Sequence, residues 1–367
     1  MKELRWGYTT GACAAAGVKA ALLFSLGQSC AEVKIISLDK REMLIPIKSI
    51  EQNDNVVKVE VVKDSGDDPD ITNGATVVTE VRFLPGERWL KILGGAGVGK
   101  ITKPGLALPV GEYAINPGPR KLIAHAVAEI WGDDNHTGLM VTISVPGGEE
   151  LARRTLNPSL GIVGGISIIG TTGVLRPMSE DAFKNSLLPQ IDVAVAQGRE
   201  TLIMVPGKIG ENIAVSYGLP REAIVQMSNF VGFMLEGAAE RGVKRVLLCG
   251  HLGKLSKVAA GVFHTHNRMA DARMETLAAH GAALGLPAPQ VRQMLNCVTT
   301  EEALGVISDE NLKKSLCAAI AAKASERAEK YVFGRLKVGT MLVTLKGELL
   351  AFDAKAGEMG RDLGWIL

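Results

Sequence analysis

The two halves of the chain differ in how apolar and polar residues follow one another. In the first half, short runs of strand-like alternation are separated by turn residues, a pattern typical of an antiparallel sheet. A helix is predicted beside this sheet over 12–26, after a Gly/Thr turn in which Thr10 is the expected N-cap. The strand-like runs are 33–38, 43–47, 56–62 and 75–83.

From about residue 162 the pattern changes to strand, Gly/Pro turn and helix. Helical patterns over 179–197 and 221–240 separate the predicted strands, and this βαβ order predicts a parallel sheet with right-handed crossovers. The turns that follow the strands then share the carboxyl edge of the sheet, where small ligands bind. The strands are 166–169, 202–205 and 246–249, followed by turns at Gly170, Pro206 and Gly250.

Together these patterns predict an α/β protein with an α+β part. The N-terminal domain, 1–148, is expected to hold a mixed or antiparallel sheet with Gly/Thr-rich loops. The C-terminal domain, 149–367, is expected to hold the parallel sheet, a helical extension and a final hairpin over 336–344 and 348–352, which could belong to either domain. A length of 367 residues suits two domains.

Charge and cysteine content narrow the class of protein. Lys and Arg number 41 against 39 Asp and Glu, which argues against a nucleic-acid or membrane-surface protein. The five cysteines are scattered without metal-site spacing, as expected of reduced thiols. The chain starts without a signal-like apolar segment and has no apolar run near the ~20 residues of a membrane span. A soluble, cytoplasmic protein is therefore expected.

A glycine-rich segment, LGGAGVGK, partly matches the motif of a phosphate-binding loop. Residues 94–100 match GxxxxGK, but Ile101 stands where the motif needs Ser or Thr, and the prolines and glycines after residue 103 prevent the helix that must follow. We therefore expect a glycine-lined pocket wall there. The acidic loop 64–70 is expected to form turns instead of binding a cation, because it lacks the calcium-loop pattern.

The stretch 246–281 is the densest in chemically active side chains. His264 and His266 have HxH spacing, which places both rings on one side of an extended segment and raises the alternative of a metal-dependent hydrolase. Only His280 follows them as a further ligand, and capping or polar packing is an equally available use. Near the N-terminus, Thr9 and Thr10 could hold an anionic group or simply cap a helix. Arg120, in the first turn of a predicted helix, should face solvent or pair with a carboxylate.

Five motifs in register give the chain a resemblance to a known family. In order, GYTTGACAAA, DSGDDPDITNG, GLALPVGEYAINPGPR, GGISIIGTTGVLRPMSE and GHLGKLSKVAAGVFHTHNRMADARME resemble the cobalt-precorrin-5B C(1)-methyltransferase (CbiD) family of anaerobic cobalamin synthesis. The resemblance implies transfer of a methyl group from S-adenosylmethionine to C-1 of a cobalt-containing tetrapyrrole. Such an enzyme mainly aligns donor and acceptor, so no bound metal is expected and cobalt arrives with the substrate.

The resemblance also suggests residue roles. Proton transfer would fall to His251, His264 and His266, with Asp271 orienting one of them. The cofactor residues would lie at the carboxyl edge of the parallel sheet, where small ligands bind, and would be Gly164, Gly165, Gly170, Thr171, Thr172 and Gly173. Substrate carboxylates would be held by Thr9, Thr10, Arg120, Arg153, Arg176, Lys254, Arg268 and Arg273.

Partners and alternatives complete these expectations. The small-molecule tetrapyrrole is the expected partner, and transient contacts with neighbouring cobalamin-pathway enzymes are expected as well. The sequence does not specify the oligomeric state. Besides the hydrolase, a non-catalytic corrinoid-binding carrier stays open, in which the basic residues bind the tetrapyrrole and nothing turns over.

Overall fold

The structure, a computed structural model, describes residues 4–86, 89–131 and 137–366. The chain divides into two compact units, unit 1 (Met1–Glu180) and unit 2 (Asp181–Leu367). The predicted domains, 1–148 and 149–367, include residues outside the described ranges, at both ends and at 87–88 and 132–136. Within the described ranges, no helix is long and apolar enough to cross a membrane.

The elements of unit 1 are mostly strands. They are β1 (Gly7–Tyr8), α1 (Thr10–Ser25), β2 (Glu32–Ile36), β3 (Glu42–Pro46), β4 (Ser49–Asn53), β5 (Val56–Val62), β6 (Thr76–Pro85), β7 (Leu90–Gly94), β8 (Gly97–Val98), β9 (Lys100–Ile101), α2 (Pro117–Trp131), β10 (Thr137–Ser144), α3 (Gly148–Ala152), α4 (Asn157–Leu160), β11 (Ile162–Val163), β12 (Gly165–Ile166) and β13 (Val174–Leu175).

The elements of unit 2 are mostly helices. They are α5 (Glu180–Leu187), which begins at the last residue of unit 1, α6 (Pro189–Ala196), β14 (Thr201–Val205), α7 (Lys208–Ser216), a 3-10 turn (Arg221–Ala223), β15 (Ile224–Gln226), α8 (Val231–Glu240), β16 (Arg245–His251), α9 (Leu252–Ala259), α10 (Arg273–Ala283), α11 (Ala288–Leu295), α12 (Thr300–Gly305), α13 (Glu310–Tyr331), β17 (Lys337–Val343), β18 (Leu349–Phe352) and α14 (Ala354–Asp362).

Unit 1 is built on a mixed sheet with the strand order β4-β5-β6-β10-β7. β10 pairs antiparallel with β6 and parallel with β7, which confirms the predicted mixed or antiparallel sheet. Helix α1 packs against this sheet and against α2, and it is buried from Thr10 to Leu22 because its residues are almost all small or apolar. The N-cap is Thr9, not Thr10: Thr9 is extended and its hydroxyl accepts from the Ala12 amide at 3.2 Å.

Unit 2 is built on a sheet with the order β15-β14-β16-β17-β18. The first four strands are parallel and β18 is antiparallel to β17, so the predicted parallel sheet is confirmed and the final hairpin belongs to it. The chain runs from β14 outward to β15 and then returns past β14 to β16. The crossover direction therefore reverses at the β14–β16 pair, and ligands bind at the carboxyl ends of strands at such a reversal.

The prediction that 166–169 opens the parallel sheet is wrong. β11 pairs with β9, β12 with β8 and β13 with β1, all within unit 1. The pairing of β12 with β8 is possible because Gly165 is in register with Gly97, where a Cβ atom on Gly165 would lie 2.1 Å from the carbonyl oxygen of Gly97. The compact units accordingly divide at 180/181, later than the boundary expected at 148/149.

The predicted helix over 221–240 is only partly present. Its first part forms the 3-10 turn and β15, which pairs with β14, and α8 begins at Val231. Ser228 adopts a left-handed conformation (φ 51°) between β15 and α8, which ends the strand and starts the turn toward the helix.

The glycine-rich segment and the acidic loop also have structural uses. Two short strands, β8 and β9, form where a phosphate loop would need a helix, and Cβ atoms on the glycines of this segment would meet neighbouring side chains or backbone within about 2.5 Å. In the acidic loop, Asp64 pairs with Arg5 and Asp70 with Lys63, while Asp67 and Asp68 accept backbone amides. The predicted turn role of that loop is confirmed.

Candidate functional site

A cavity of about 300 Å³ lies in unit 2 where β16 ends and α9 begins. It occupies the carboxyl edge of the parallel sheet, beside the strand pair at which the crossover direction reverses. We call it the unit 2 pocket. Its lining residues are Asn229, His251, Gly253, Lys254, Lys257, Thr265, His266, Asn267 and Arg273.

The sequence places these side chains through one sharp strand-to-helix transition. The apolar residues of β16 are fully buried up to Cys249, and His251 then stays extended (φ −73°, ψ 151°) as the N-cap of α9. A Cβ atom on Gly253 would lie 3.0 Å from Cε1 of the imidazole, so the ring of His251 lies close against this glycine. A larger residue at position 253 would displace the ring.

His251 carries a polar atom without a hydrogen-bond partner. Its Nδ1 is buried and has no partner among the described residues. Burial lowers the pKa of the imidazole from its usual 6.5, and the nearby Lys254 ammonium lowers it further. His251 is therefore neutral at pH 7 and can donate or accept one hydrogen bond to a ligand.

Two lysines of α9 supply positive charge to the pocket. Lys254 donates to the carbonyl oxygen of Ser228 at 3.2 Å, and Lys257, only 1% exposed, donates to three oxygens of the loop that follows α9. Burial lowers the pKa of both ammonium groups. Neither lysine forms an ion pair among the described residues, so their charge is available to an anionic ligand.

The loop between α9 and α10 brings the two neighbouring histidines to this edge. It pairs with the turn before α8 through a bridge between Phe230 and His264, and the Thr265 amide donates to the Asn229 carbonyl at 2.9 Å. The His264 ring lies 5.0 Å from the ring of Phe230, and the exposed His266 accepts the Arg268 amide on Nδ1 at 3.2 Å. The loop thus presents His266 to the pocket and packs His264 against an aromatic ring.

The arrangement does not supply the ligand set that the hydrolase alternative needs. The ring centres of His264 and His266 are 6.4 Å apart. Across the ranges that the structure describes, no group of three or more His, Cys, Asp or Glu side chains is placed to hold a metal ion. A zinc site normally takes at least three protein ligands.

Asp271 is bound by Arg273, not by the histidine that the sequence suggested. Nε and one terminal nitrogen of Arg273 donate to the two carboxylate oxygens, each at 2.7 Å. This bidentate pair lowers the pKa of Asp271 to about 2. Arg273 lines the pocket, and Asp271 fixes its guanidinium.

The charge of the lining identifies the kind of ligand it can take. Three of the nine lining residues are lysine or arginine, two are histidines, and no carboxylate is among them. In the partly buried pocket such charges interact more strongly than in water. The site is therefore built for an anionic group, such as a carboxylate.

The predicted substrate residues of unit 1 have partners of their own. The hydroxyl of Thr9 caps α1, whereas that of Thr10 accepts the Ile169 amide at 3.0 Å, so capping is the use that the structure shows for Thr9 only. Arg120 donates to the Ile115 carbonyl and to Glu112, which confirms the expected carboxylate partner. Arg153 pairs with Glu150 on the surface, and Arg176, like Arg268 of unit 2, is exposed.

The six predicted cofactor residues lie in unit 1, not at the edge of the parallel sheet from which their role was argued. Their loop closes the start of α1: the Thr9 amide donates to the Gly173 carbonyl and the Gly11 amide to that of Ile169. The Thr172 hydroxyl accepts the Val174 amide at 3.3 Å. Gly164 and Thr171 are exposed, so a ligand can reach the backbone and hydroxyl there.

The pocket also contains residues that the sequence reasoning missed. Lys257 falls within the apolar stripe of α9 and gives no signal of burial by itself, although it lies one helical turn after Lys254. Asn229, Thr265 and Asn267 come from two separate loops. Only the pairing of these loops reveals that they belong to one site.

Comparisons with known proteins agree over nearly the whole chain. The CbiD family model matches residues 1–177, and the model of the CbiD C-terminal domain matches residues 264–354. A cobalt-precorrin-5B C(1)-methyltransferase of Moorella thermoacetica is 46% identical over 100% of this chain and 99% of its own length. One of Desulfitobacterium hafniense is 46% identical over 97% of this chain and 92% of its own. The crystal structure of a cobalamin biosynthesis protein (cbiD) from Archaeoglobus fulgidus shares 26% identity, covers 74% of this chain and 84% of its own, and has a TM-score of 0.38.

Proposed function

Because the chain belongs to the CbiD family, we propose that its unit 2 pocket holds the tetrapyrrole during methylation at C-1. The chain is a cobalt-precorrin-5B C(1)-methyltransferase of cobalamin biosynthesis, dependent on S-adenosylmethionine. One observation carries the assignment to the pocket: its lining has five basic or imidazole side chains and no carboxylate. A corrinoid precursor with several acetate and propionate side chains matches that charge.

The reaction depends mainly on alignment of donor and acceptor, and acid or base chemistry is needed only for the proton transfer that accompanies methylation. S-adenosylmethionine supplies an activated methyl group: its carbon–sulfur bond breaks with the electron pair left on sulfur, while the π electrons of the ring carbon form the new carbon–carbon bond. The protein has to hold the ring carbon in line with the donor, and such positioning is worth several kcal/mol of the barrier, up to about 7–11 kcal/mol in the best intramolecular cases.

Within the pocket the residues divide by chemistry. Lys254 and Arg273 hold substrate carboxylates through charge-assisted hydrogen bonds, with Asp271 keeping the Arg273 guanidinium in place. Neutral His251 contacts the macrocycle and accepts or returns a proton, with His266 at the mouth of the pocket. His264 supports the loop against Phe230. Arg268 is a further proposed contact for the carboxylate rim, and Arg120, Arg153 and Arg176 of unit 1 keep only the substrate role that the resemblance implies.

For the cofactor, the exposed loop of unit 1 is the proposed contact. No atom lies within 4 Å of the place where a Cβ atom of Gly164 would be, and Thr171 is exposed, so the nucleoside or methionine part can reach the loop. Gly165, Gly170, Thr172 and Gly173 complete the proposed set. Among the glycines of this set, Gly164 leaves room for a close approach of a ligand, whereas Cβ atoms on Gly165, Gly170 and Gly173 would meet Gly97, Thr9 and Leu122 within 3 Å.

Thr172→Val tests that placement. If the hydroxyl contacts S-adenosylmethionine, its removal costs about 1 kcal/mol of binding free energy, and we expect the Kd of the cofactor to rise about fivefold by isothermal titration calorimetry. Thr155→Val is the matched control, since Thr155 makes the same kind of local bonds, to the Ala152 carbonyl and the Asn157 amide. An unchanged Kd in Thr172→Val would remove this loop from the cofactor site.

The cellular location and the partners of the protein are also proposed. We propose a cytoplasmic protein, because the five cysteines are free thiols and three of them are buried. Transient contacts with neighbouring enzymes of the pathway are part of the proposal, and the oligomeric state can be measured by light scattering.

Mass spectrometry of the corrinoid tests the reaction. We expect purified protein, incubated with enzymatically prepared cobalt-precorrin-5B and methyl-deuterated S-adenosylmethionine, to add one labelled methyl group to the macrocycle. Binding of the tetrapyrrole without any label, with the upstream enzymes shown to be active, would favour the corrinoid carrier instead. Stoichiometric zinc or manganese in the purified protein, together with hydrolysis of the corrinoid, would favour the hydrolase.

A further inference from the structure

Lys257 makes an unusual set of contacts for a buried lysine. The side chain is 1% exposed, and its ammonium donates to Asn267 Oδ1 at 2.6 Å, to the Ala270 carbonyl at 3.0 Å and to the Thr265 carbonyl at 3.3 Å. All three hydrogen atoms of the ammonium are therefore used, and every acceptor belongs to one short loop. No carboxylate forms a close ion pair with this ammonium among the described residues, although the Asp271 carboxylate attracts it at longer range.

The loop depends on these contacts for its position. Residues 260–272 separate α9 from α10, and up to Thr265 they are held by the Phe230–His264 bridge and by the Asn229 carbonyl. Beyond Thr265 the other hydrogen bonds found in the described part of the loop are local: the Arg268 and Met269 amides donate to His266, Arg273 to Asp271 and Thr276 to Ala272. The Lys257 ammonium thus ties 265–270 to α9.

The stability of the folded protein does not by itself explain why this ammonium group is buried. Taking a lysine charge out of water costs several kcal/mol, and three neutral oxygens return only part of that cost. An apolar side chain of similar length could fill the same space. The contacts instead join the two halves of the pocket lining: His251 and Lys254 on the α9 side, and His266 and Asn267 on the loop side.

We propose that Lys257 is a positioning residue, which holds the loop 265–270 so that His266 and Asn267 complete the pocket wall opposite His251. The inference rests on the proposed function of the pocket. Lys257 acts through the loop and does not take part in methyl transfer itself. Its ammonium group also contributes positive charge to the pocket lining, which favours the carboxylates of the substrate.

Hydrogen exchange of the unliganded protein tests the tether without any substrate. In Lys257→Met we expect the amides of 266–271 to exchange at least tenfold faster, while those of β16 and α13 keep their protection, because only the loop loses its anchor. Lys257→Arg keeps a charged donor and should restore part of the protection. Lys63→Met is the matched control: it removes a buried ammonium of unit 1, bonded to Ser65 and Asp70, and should leave exchange at 266–271 unchanged.

Steady-state kinetics then test positioning. We expect Lys257→Met to raise the KM for the tetrapyrrole about tenfold, the size expected for losing hydrogen bonds to a charged group, with the KM for S-adenosylmethionine unchanged and Lys257→Arg in between. Asn267→Leu, at an exposed position, should speed exchange in the same loop even if Lys257→Met fails to fold.

Each contrary outcome has a separate meaning. Unchanged exchange at 266–271 in both Lys257→Met and Asn267→Leu would overturn the tether, whatever the activity. Faster exchange with normal KM and kcat for the tetrapyrrole would overturn the positioning role and leave a structural one. No methyl transfer by the unaltered protein would overturn the proposed function, and the exchange result would then still decide whether the tether exists.

Discussion

Replacing His251 with alanine is expected to lower kcat/KM for methylation of the tetrapyrrole about 100-fold, at the lower end of what a positioned acid or base contributes. The expectation follows from three properties of this side chain. It lies at the carboxyl end of β16, it lines the pocket, and its buried Nδ1 lacks a hydrogen-bond partner among the described residues. A buried polar atom of this kind costs about 1–3 kcal/mol, which a bound ligand can recover.

The dependence of kcat/KM on pH should also reveal the role of His251. The pKa of His251 lies below its usual 6.5, mainly through burial and then through Lys254. The neutral ring therefore persists to more acidic pH, and the acid limb of kcat/KM should fall below pH 6.5. The free energy of unfolding should change with pH in the same direction. Between the two pKa values His251 binds fewer protons in the folded protein than in the unfolded chain, so its contribution to stability is complete above pH 6.5 and is lost as pH falls toward the lowered pKa. The limb should be absent from His251→Asn, whose amide does not titrate.

A second histidine provides the control for this experiment. His280, on α10, also has a pKa lowered by burial and by a neighbouring lysine, Lys323, but it does not line the pocket. We expect His280→Asn to keep normal kcat/KM. Near-normal turnover in both His251→Ala and His251→Asn would reduce His251 to an N-cap residue of α9.

The sequence was informative wherever a local pattern determines the structure. The apolar run of β16 ends at a glycine followed by histidine, and a buried parallel strand followed by a helix produces that pattern almost regardless of its surroundings. The alternating strands β5 and β6 and the C-terminal hairpin were predicted within a few residues for the same reason. The position of His251 and Lys254 could therefore be inferred before any coordinates.

Local patterns failed where the pairing partner is distant. The segment 166–169 has the apolar and glycine pattern of a parallel strand, yet its first residue pairs with β8, about seventy residues earlier, and not with β14. β4 was missed because Ser49–Asn53 is largely polar, and β15 because only three residues pair. Lys257 reads as a surface lysine until the loop that accepts its three hydrogen bonds is placed over it. Each of these failures concerns tertiary contacts that no single segment encodes.

The substitution Gly97→Ala is expected to destabilise unit 1 strongly, although it adds only one methyl group. Gly97 has φ 73°, and a Cβ atom there would lie 1.9 Å from the carbonyl oxygen of Val145 and 3.0 Å from the amide nitrogen of Gly148. Backbone cannot move aside as a flexible side chain can, so β8 would have to separate from its neighbours. We expect the free energy of unfolding to fall by at least about 3 kcal/mol, from overpacking and from the left-handed conformation together.

Gly74→Ala separates these two causes. Gly74 has nearly the same backbone conformation (φ 77°), but a Cβ atom on it would meet nothing within 4 Å. It should therefore cost only the conformational part, about 1–2 kcal/mol, in urea unfolding followed by circular dichroism. If both variants lose the same free energy of unfolding, close packing at Gly97 does not contribute to the stability of this segment. The result also distinguishes two interpretations of the segment LGGAGVGK. In a phosphate-binding loop, the substitution of Gly97 would lower nucleotide affinity with little loss of stability. In a packed glycine segment it lowers stability first, because β8, β12 and α3 meet at a distance that leaves no room for a side chain.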